Sequence, residues 1–408
     1  MSTRKNALHL YIVQGTNIFI PLLALPYLGR ALGPQSFGAL AFSQLILQYL
    51  ILTTDFGFNL TATRRISQVK SSPIEVGKII ADTTVVRGAL ALISCLIVYI
   101  AASTIPALEN SRHLILISFL SVIGSLLTPA WFFHGTETNH IFAAITAVPR
   151  IVLLVPLALF VKSPSDLELA ALLQFSPQFI TGLVCLVWLT SNRALKLTKP
   201  SIAGIKFAFH DGLHIYTSTI LSSIYVYANG LILRFVGGET ALGFYSAAEK
   251  LVKAISAMIS PAVQAIYPKV CSGSNPSLKY IYYFILAFTC SCWLGSIFLG
   301  DLIVTTIFGP KFTESATVLR VLSIGPIFAG VNMISVQLKI LAWGQHRYLK
   351  RIYATSVLFH CIQAPFLVLH WSATGAAASV VFTEILTFAL INKTVKSISA
   401  EENNKQLT

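Results

Sequence analysis

Twelve apolar stretches follow one another along the chain, each long enough to cross about 30 Å of hydrocarbon and separated from the next by a short polar segment. They run at roughly 8–29, 38–61, 81–103, 113–134, 140–161, 167–189, 207–234, 241–266, 281–308, 316–342, 352–371 and 373–393. In hydrocarbon a backbone amide finds no water to bond, so runs of this length have to be helices. The predicted class is all-α, a polytopic membrane protein of twelve transmembrane helices with almost no soluble part. An even number of crossings puts both termini on one face.

The loops say which face. Of 29 Lys and Arg, eighteen lie in the segments on the side of the N-terminus or their flanks, among them Arg64, Arg65, Lys70, Lys78, Arg193, Lys196, Lys199, Arg347, Lys350 and Arg351. Five lie on the opposite side, and six lie deeper in spans. The positive-inside rule then makes the termini cytoplasmic. The net charge of +14 is therefore mostly topology. Scattered over short loops, these cations form no groove for nucleic acid, which is not expected as a partner.

The opening MSTRKNA and the apolar run after it show no small-x-small cleavage site, so residues 8–29 are read as a first helix and not a secretory signal. Six cysteines without a CxxC pair argue against a disulfide framework or a zinc ribbon.

A faint internal echo divides the chain. GRALGPQSFGALAFSQ (29–44) follows the first span and LRFVGGETALGFYSAAEK (233–250) follows the seventh, so that Gly33 and Gly38 match Gly238 and Gly243 at an offset of 205 residues. The expected architecture is two pseudo-twofold six-helix lobes, residues 1–199 and 200–408, with the basic stretch 190–206 as linker. Pro129, Pro149, Pro156, Pro177, Pro261, Pro326 and Pro365 suggest kinked helices able to line a cavity.

Polar residues inside spans are the candidates for chemistry. Gln44, Gln48, Asp55 and Asn59 fall within roughly a 60° sector of span two, facing either a helix interface or a water-filled cavity; Gln14 and Asn17 of span one would share that surface. Glu249, Lys250 and Lys253 sit near the midplane of span eight, where a charge costs about 2.5–3.5 kcal/mol and needs a partner, a cavity or a function. Glu249 and Lys253, four apart, can neutralise each other, which leaves Lys250 unexplained. Arg150, just after Pro149, is the deep cation of the first half. Arg87, Arg320 and Lys339 lie nearer span ends, where long stems can snorkel. Asp55, Glu249 and Glu384 are the carboxyls placed to carry a proton or to serve as permanent ion-pair partners. His210 and His214 flank Asp211 at a spacing zinc can use, but no further ligand converges on them, and interfacial histidines are the simpler reading. No Walker loop, Rossmann glycine set, nucleophile elbow or HExxH is present, so neither an enzyme, a metal nor a cofactor is expected.

Several runs are familiar together: PLLALPYLGRALGPQSFGALAFSQ (21–44), DFGFNLTATRRIS (55–67), WFFHGTE (131–137), VKSPSD (161–166), DGLHIYTST (211–219), GFYSAAEK (243–250), PAVQAIYPK (261–269) and FGPKF (308–312). In this order they resemble the bacterial O-antigen flippases, the Wzx-type polysaccharide transporters of the multidrug, oligosaccharidyl-lipid and polysaccharide exporter superfamily. The resemblance implies a V-shaped exporter fold in the bacterial inner membrane. The implied cargo is an oligosaccharide on undecaprenyl pyrophosphate, moved from the cytoplasmic to the periplasmic leaflet by alternating access in exchange for a proton or another cation. A glycan polymerase and a chain-length regulator would be its working partners. Related flippases hold the pyrophosphate with cavity arginines; here only Arg150, Lys250 and Lys253 fit that idea, with Gln14, Asn17, Gln48 and Asn59 as sugar-binding candidates. The residues agree on their own terms, because a diphosphate bearing a sugar chain needs cations and amides to cross a membrane. A drug antiporter of the same superfamily would favour central acids, a membrane glycan polymerase a large outer loop, and a scaffold no midplane charge at all.

Overall fold

The structure, a computed structural model, describes the backbone of residues 3–191, 198–271, 278–341, 343, 345 and 347–407. Side chains are described for all of these except 3–22, 218, 221, 222, 224–226, 261, 262, 264, 265, 267–269, 271, 347 and 399–407. The candidates Gln14 and Asn17 therefore lie outside the described side chains.

Helices account for nearly everything described, and no strand occurs among the described residues: α1 (Thr3–Asp55), α2 (Phe58–Val69), α3 (Pro73–Thr104), α4 (Arg112–Leu127), α5 (Ala130–Gly135), α6 (Asn139–Phe160), α7 (Leu167–Ser191), α8 (Ile202–Val236), α9 (Gly238–Cys271), α10 (Lys279–Phe308), α11 (Thr313–Leu322), α12 (Gly325–Ser335) and α13 (Arg347–Leu407). The chain turns sharply inside α1 at Gly33 (φ 69°, ψ 174°) and inside α13 at Ser372 (φ 49°, ψ −128°), so each is two rods joined end to end. Split there, and with α2, α5 and α12 continuing the rods before them, the described helices match the twelve predicted spans one for one.

Two boundaries differ from the sequence reading. The loop expected at 62–80 is mostly helix, because α2 runs on to Val69 and α3 starts at Pro73. Hydropathy stops at Thr63, Arg64 and Arg65, yet Phe58, Ala62 and Ile66 keep one buried face at helical spacing. The tail expected at 394–408 likewise continues α13 to Leu407. Span two is also not one continuous helix. It breaks at Phe56 (φ 45°) and Gly57 (φ 81°), directly after Asp55.

The chain packs as two compact units, residues 1–32 with 39–223, and residues 33–38 with 224–408. In the first unit α4 and α7 meet at glycines: a Cβ on Gly124 would lie 2.3 Å from the carbonyl oxygen of Gln178, and one on Gly182 2.5 Å from that of Gly124. Without a hydrophobic force between helices in lipid, such close backbone approach supplies the packing. Ser121 adds a hydroxyl bond to the carbonyl of Phe175 at 2.7 Å. The first half of α8 belongs here because Phe56 stacks on Phe209 and Tyr216, and because Asp82 of α3 accepts the amide of Ser201 at 2.7 Å, one residue before α8 begins. A carboxylate at a helix N-terminus also complements its dipole.

In the second unit the repeated glycines find a physical reason. Gly33 and Gly238 (φ 79°) both take left-handed backbone after their helices. Gly38 and Gly243 pack against each other: a Cβ on Gly38 would fall 1.8 Å from the carbonyl oxygen of Glu239, and one on Gly243 2.0 Å from that of Pro34. Phe37 beside them sits edge-on to Phe308 and Phe312.

Gly38→Ala and Gly243→Ala are each expected to destabilise the protein by about 1–3 kcal/mol through overpacking. Gly88→Ala and Gly295→Ala, where nothing lies within 4 Å of the new Cβ, should be neutral or slightly stabilising. Thermal unfolding of the four variants in one detergent tests this, and equal melting of both pairs would rule out the tight glycine contact.

Candidate functional site

Three groups of charged and polar side chains lie within the membrane-spanning part, and each belongs to a single unit. The first begins with a broken helix. Pro129 has no amide to offer, so α4 stops at Thr128 and its last carbonyls keep only irregular backbone bonds, from the Thr128 amide to Ser125 at 3.1 Å and from the Ala130 amide to Thr128 at 3.0 Å. Arg87 of α3 takes these carbonyls. Its Nη2 donates to the carbonyl of Ser125 at 2.8 Å, and its Nη1 reaches those of Leu126 and Thr128 at 3.3 and 3.4 Å. The same Nη2 pairs with Oδ1 of Asp55 at 3.3 Å, while Nδ2 of Asn59 donates to Oδ2 at 2.5 Å. The Arg87 side chain is 1 % exposed and that of Asp55 27 %. Arg87 therefore does not snorkel to a span end as the sequence reading had it; its guanidinium closes a helix terminus in the interior, where a positive charge also meets the negative end of the α4 dipole.

Asp55 is thus one of the predicted carboxyls in an ion pair, and Asn59 reaches it across the break in span two. Asn59 and Gln48 are otherwise exposed, and Arg150 stands half-buried on α6. Nearer the basic end of this unit, Arg64 forks onto both oxygens of Asp211 at 3.2 and 3.3 Å. That leaves His210 and His214 in edge contact with each other, with Asp211 already committed, and no metal-binding group of three occurs among the described residues.

The second group is on α9. Lys253 pairs with Glu249 at 3.1 Å, and the Lys253 side chain is 53 % exposed. Lys250 turns the other way, its Nζ 4.6 Å over the ring of buried Phe37. The cation beyond the reach of the Glu249–Lys253 pair thus has an aromatic face under it, an attraction of about 0.5–2 kcal/mol. Two lysines three residues apart are held in different ways: Lys250 on the Phe37 ring, Lys253 by a half-exposed ion pair with the Tyr227 ring centre 5.9 Å away.

The third group is a buried ladder within the second unit. Ser356 bonds Thr387 at 2.7 Å, and Nδ1 of His360 meets Oγ1 of Thr383 at 2.9 Å. Gln363 donates to Oγ1 of Thr383 at 3.0 Å and to the carbonyl of Ser379 at 2.8 Å, and Ser379 in turn donates to Oδ1 of Asn229 at 3.0 Å. Glu384 lies beside this ladder and accepts Nδ2 of Asn332 at 3.0 Å. Sequence reading singled out Glu384 alone. The signal for the rest was present, since 356, 360 and 363 and again 379, 383 and 387 are polar at helical spacing. Of the other two deep cations, Arg320 pairs with Asp301, and Lys339 lies 5.4 Å from the Tyr282 ring centre.

Arg87→Ala is expected to cost about 3–5 kcal/mol, because it leaves a half-buried carboxylate and three carbonyls without their cation. Asp55→Asn should cost less, since the guanidinium keeps its carbonyls. Melting curves of the two variants in detergent decide it, and a wild-type melt for Arg87→Ala would show that the pair is not structural.

The profile of the family described as polysaccharide biosynthesis protein matches residues 3–272. A protein of Escherichia coli strain K12 named as a candidate O-antigen transporter is 28 % identical, covering 100 % of this chain and 98 % of its own length. One of the same name from Shigella dysenteriae is 27 % identical over 96 % of this chain and 100 % of its own. Among solved structures, the inward closed conformation of the lipid II flippase MurJ superposes with a TM-score of 0.75 at 12 % identity, covering 97 % of this chain and 88 % of that one. An inward-facing multidrug resistance MATE family transporter of the MOP superfamily gives 0.70 at 14 % identity, covering 97 % and 99 %. These two share the fold of this chain, that of the MOP exporters. The sequence relatives are named as transporters, not enzymes, in agreement with the motif resemblance.

Proposed function

The chain belongs to the polysaccharide biosynthesis protein family, and from that premise we propose that it is a flippase for a lipid-linked oligosaccharide, carrying undecaprenyl-pyrophosphate glycan from the cytoplasmic to the periplasmic leaflet of the bacterial inner membrane by alternating access. Both termini face the cytoplasm in this reading, which rests on the eighteen cations of the loops on that side. The names of the full-length relatives support the cargo class.

The observation that carries the mechanism is the state of Lys253. A midplane ammonium that is half exposed, paired with one flexible carboxylate and lying at the edge of reach of the Tyr227 ring, can leave Glu249 for a phosphate at small cost, since such pairs contribute about 0–1 kcal/mol. Lys253 is the phosphate-seeking cation of the second unit and Arg150 that of the first. Lys250 holds the α9 site against Phe37 and adds to its positive field. Gln48 and Asn59, exposed amides on either side of the break in span two, suit sugar hydroxyls.

Energy comes from an ion gradient. Glu384 is the better placed carboxyl for coupling, because its neutral Asn332 partner tolerates both charge states, whereas Asp55 is locked to a buried guanidinium. A drug antiporter of the same fold is the runner-up, and the basic character of the α9 site disfavours its cationic cargo.

In a strain lacking the chromosomal copy, Lys250→Ala/Lys253→Ala is expected to abolish long-chain surface glycan while the protein stays in the membrane, and Lys253→Arg to restore it. Normal glycan length in the double variant would reject the assignment. In proteoliposomes Glu384→Gln should reduce proton-dependent transport several-fold and more than Asp55→Asn does; unchanged coupling in Glu384→Gln removes it from the mechanism.

A further inference from the structure

At the end of the second unit where α8 turns into α9, a cavity of about 440 Å³ opens among three turns of the chain. Its wall carries Thr240 from the start of α9, Glu314 and Thr317 of α11, and Trp371, Ser372 and Thr374 at the bend of α13. None of the six belongs to the lysine site or to the buried ladder. The loop charges assign this end to the outer face.

Its chemistry is particular. Trp371 is 58 % exposed, a broad apolar face beside an open space. Tryptophans near membrane surfaces commonly anchor a helix in the headgroup layer. An anchor does not require a carboxylate and four hydroxyls around the same hollow, which is what Glu314, Thr240, Thr317, Ser372 and Thr374 supply. None of these five side chains makes a hydrogen bond or ion pair with the described residues, so their donors and acceptors are available to a ligand. The hollow is also shaped by constrained backbone. Ser372 sits at φ 49°, ψ −128°, where L residues are strained, and that bend brings Trp371 and Thr374 to one wall. Opposite, a Cβ on Gly237 would stand 3.0 Å from that of Ala241 and 3.1 Å from Oγ of Ser372, so the turn admits only glycine without a shift.

The lining excludes one ligand class and fits another. It holds no Lys or Arg, and its one ionisable group is an acid, so a phosphate or diphosphate would be repelled. A pyranose ring presents an apolar face of C–H groups and a rim of hydroxyls; the indole takes the first, and the carboxylate and hydroxyls take the second. The volume lies within the range of small-molecule sites.

We propose that this cavity is a carbohydrate site that receives sugar residues of the glycan cargo at the outer face, apart from the lysines that attract its diphosphate. The proposal rests on the flippase reading for the origin of the sugar. It implies that the protein reads glycan as well as lipid carrier, with Trp371 as the stacking platform and Glu314 as the hydroxyl acceptor.

The test uses the full chain in lipid nanodiscs, followed by tryptophan fluorescence. Three probes are titrated: the delipidated oligosaccharide released by mild acid from lipid extracts of the producing cells, inorganic pyrophosphate, and tetraphenylphosphonium as an organic cation. The oligosaccharide should give a saturable change that is lost in Trp371→Phe and shifted at least tenfold to higher concentration in Glu314→Gln, with both variants melting as wild type does. Pyrophosphate should leave the Trp371-dependent signal unchanged. No saturable response to oligosaccharide, or an equal one in Trp371→Phe, overturns the site. A response to tetraphenylphosphonium alone that depends on Trp371 also overturns it, in favour of an organic-cation pocket. Failure here with glycan export still dependent on Lys250 and Lys253 would leave the flippase reading standing. Oligosaccharide binding at Trp371 without that dependence would sink the flippase reading and keep the site.

Discussion

In a bilayer core every buried carbonyl, amide and charge has to be answered by another group of the same chain, because water is not there to do it. The guanidinium of Arg87 shows how far this shapes the protein. Pro129 ends α4 inside the membrane and takes its last carbonyls out of the regular helical ladder; Phe56 and Gly57 end α1 directly after an acid. One arginine from a third helix answers both, bonding Ser125, Leu126 and Thr128 and pairing with Asp55. Broken helices at membrane depth are tolerable here because that side chain is in place.

The same demand sorts the charges of the interior by how easily they can be disturbed. The pair Arg87–Asp55 is sealed, with one partner 1 % exposed, and separating it leaves an uncompensated charge. Lys253–Glu249 is open enough on the lysine side that water can compete with the carboxylate for the ammonium. Lys250 lies between these cases, its charge resting on the Phe37 ring. In the proposed flippase reading the firm pair keeps its helices registered and the loose one trades partners with the cargo. Glu384 adds a third kind, a carboxyl that accepts a bond from the neutral amide of Asn332.

Polar matter in the second unit follows the rule in neutral form. Ser356, His360, Gln363, Ser379, Thr383 and Thr387 satisfy one another across the two rods of α13, with Asn229 joining from α8. Such a ladder fixes which faces of the rods meet, whereas apolar contact in lipid is permissive. Its members are serines, threonines, amides and one histidine, none of them a fixed charge, whereas Glu384 beside them is one and marks itself in the sequence.

How much could be read from the chain alone depends on which force set each feature. The twelve crossings, their helical character and the glycine echo were legible, because hydrophobic length and left-handed backbone after the first and seventh spans are local demands: Gly33 and Gly238 are glycines for reasons residing in their own φ angles. Partners were not legible. That Gly38 would lie against Gly243, that Lys250 would find Phe37 some two hundred residues earlier, and that Arg87 would turn inward and not snorkel all depend on contacts between distant segments. Sequence determined which groups are costly to bury in hydrocarbon; only the tertiary structure decided how each is compensated, because the compensating atom comes from another helix.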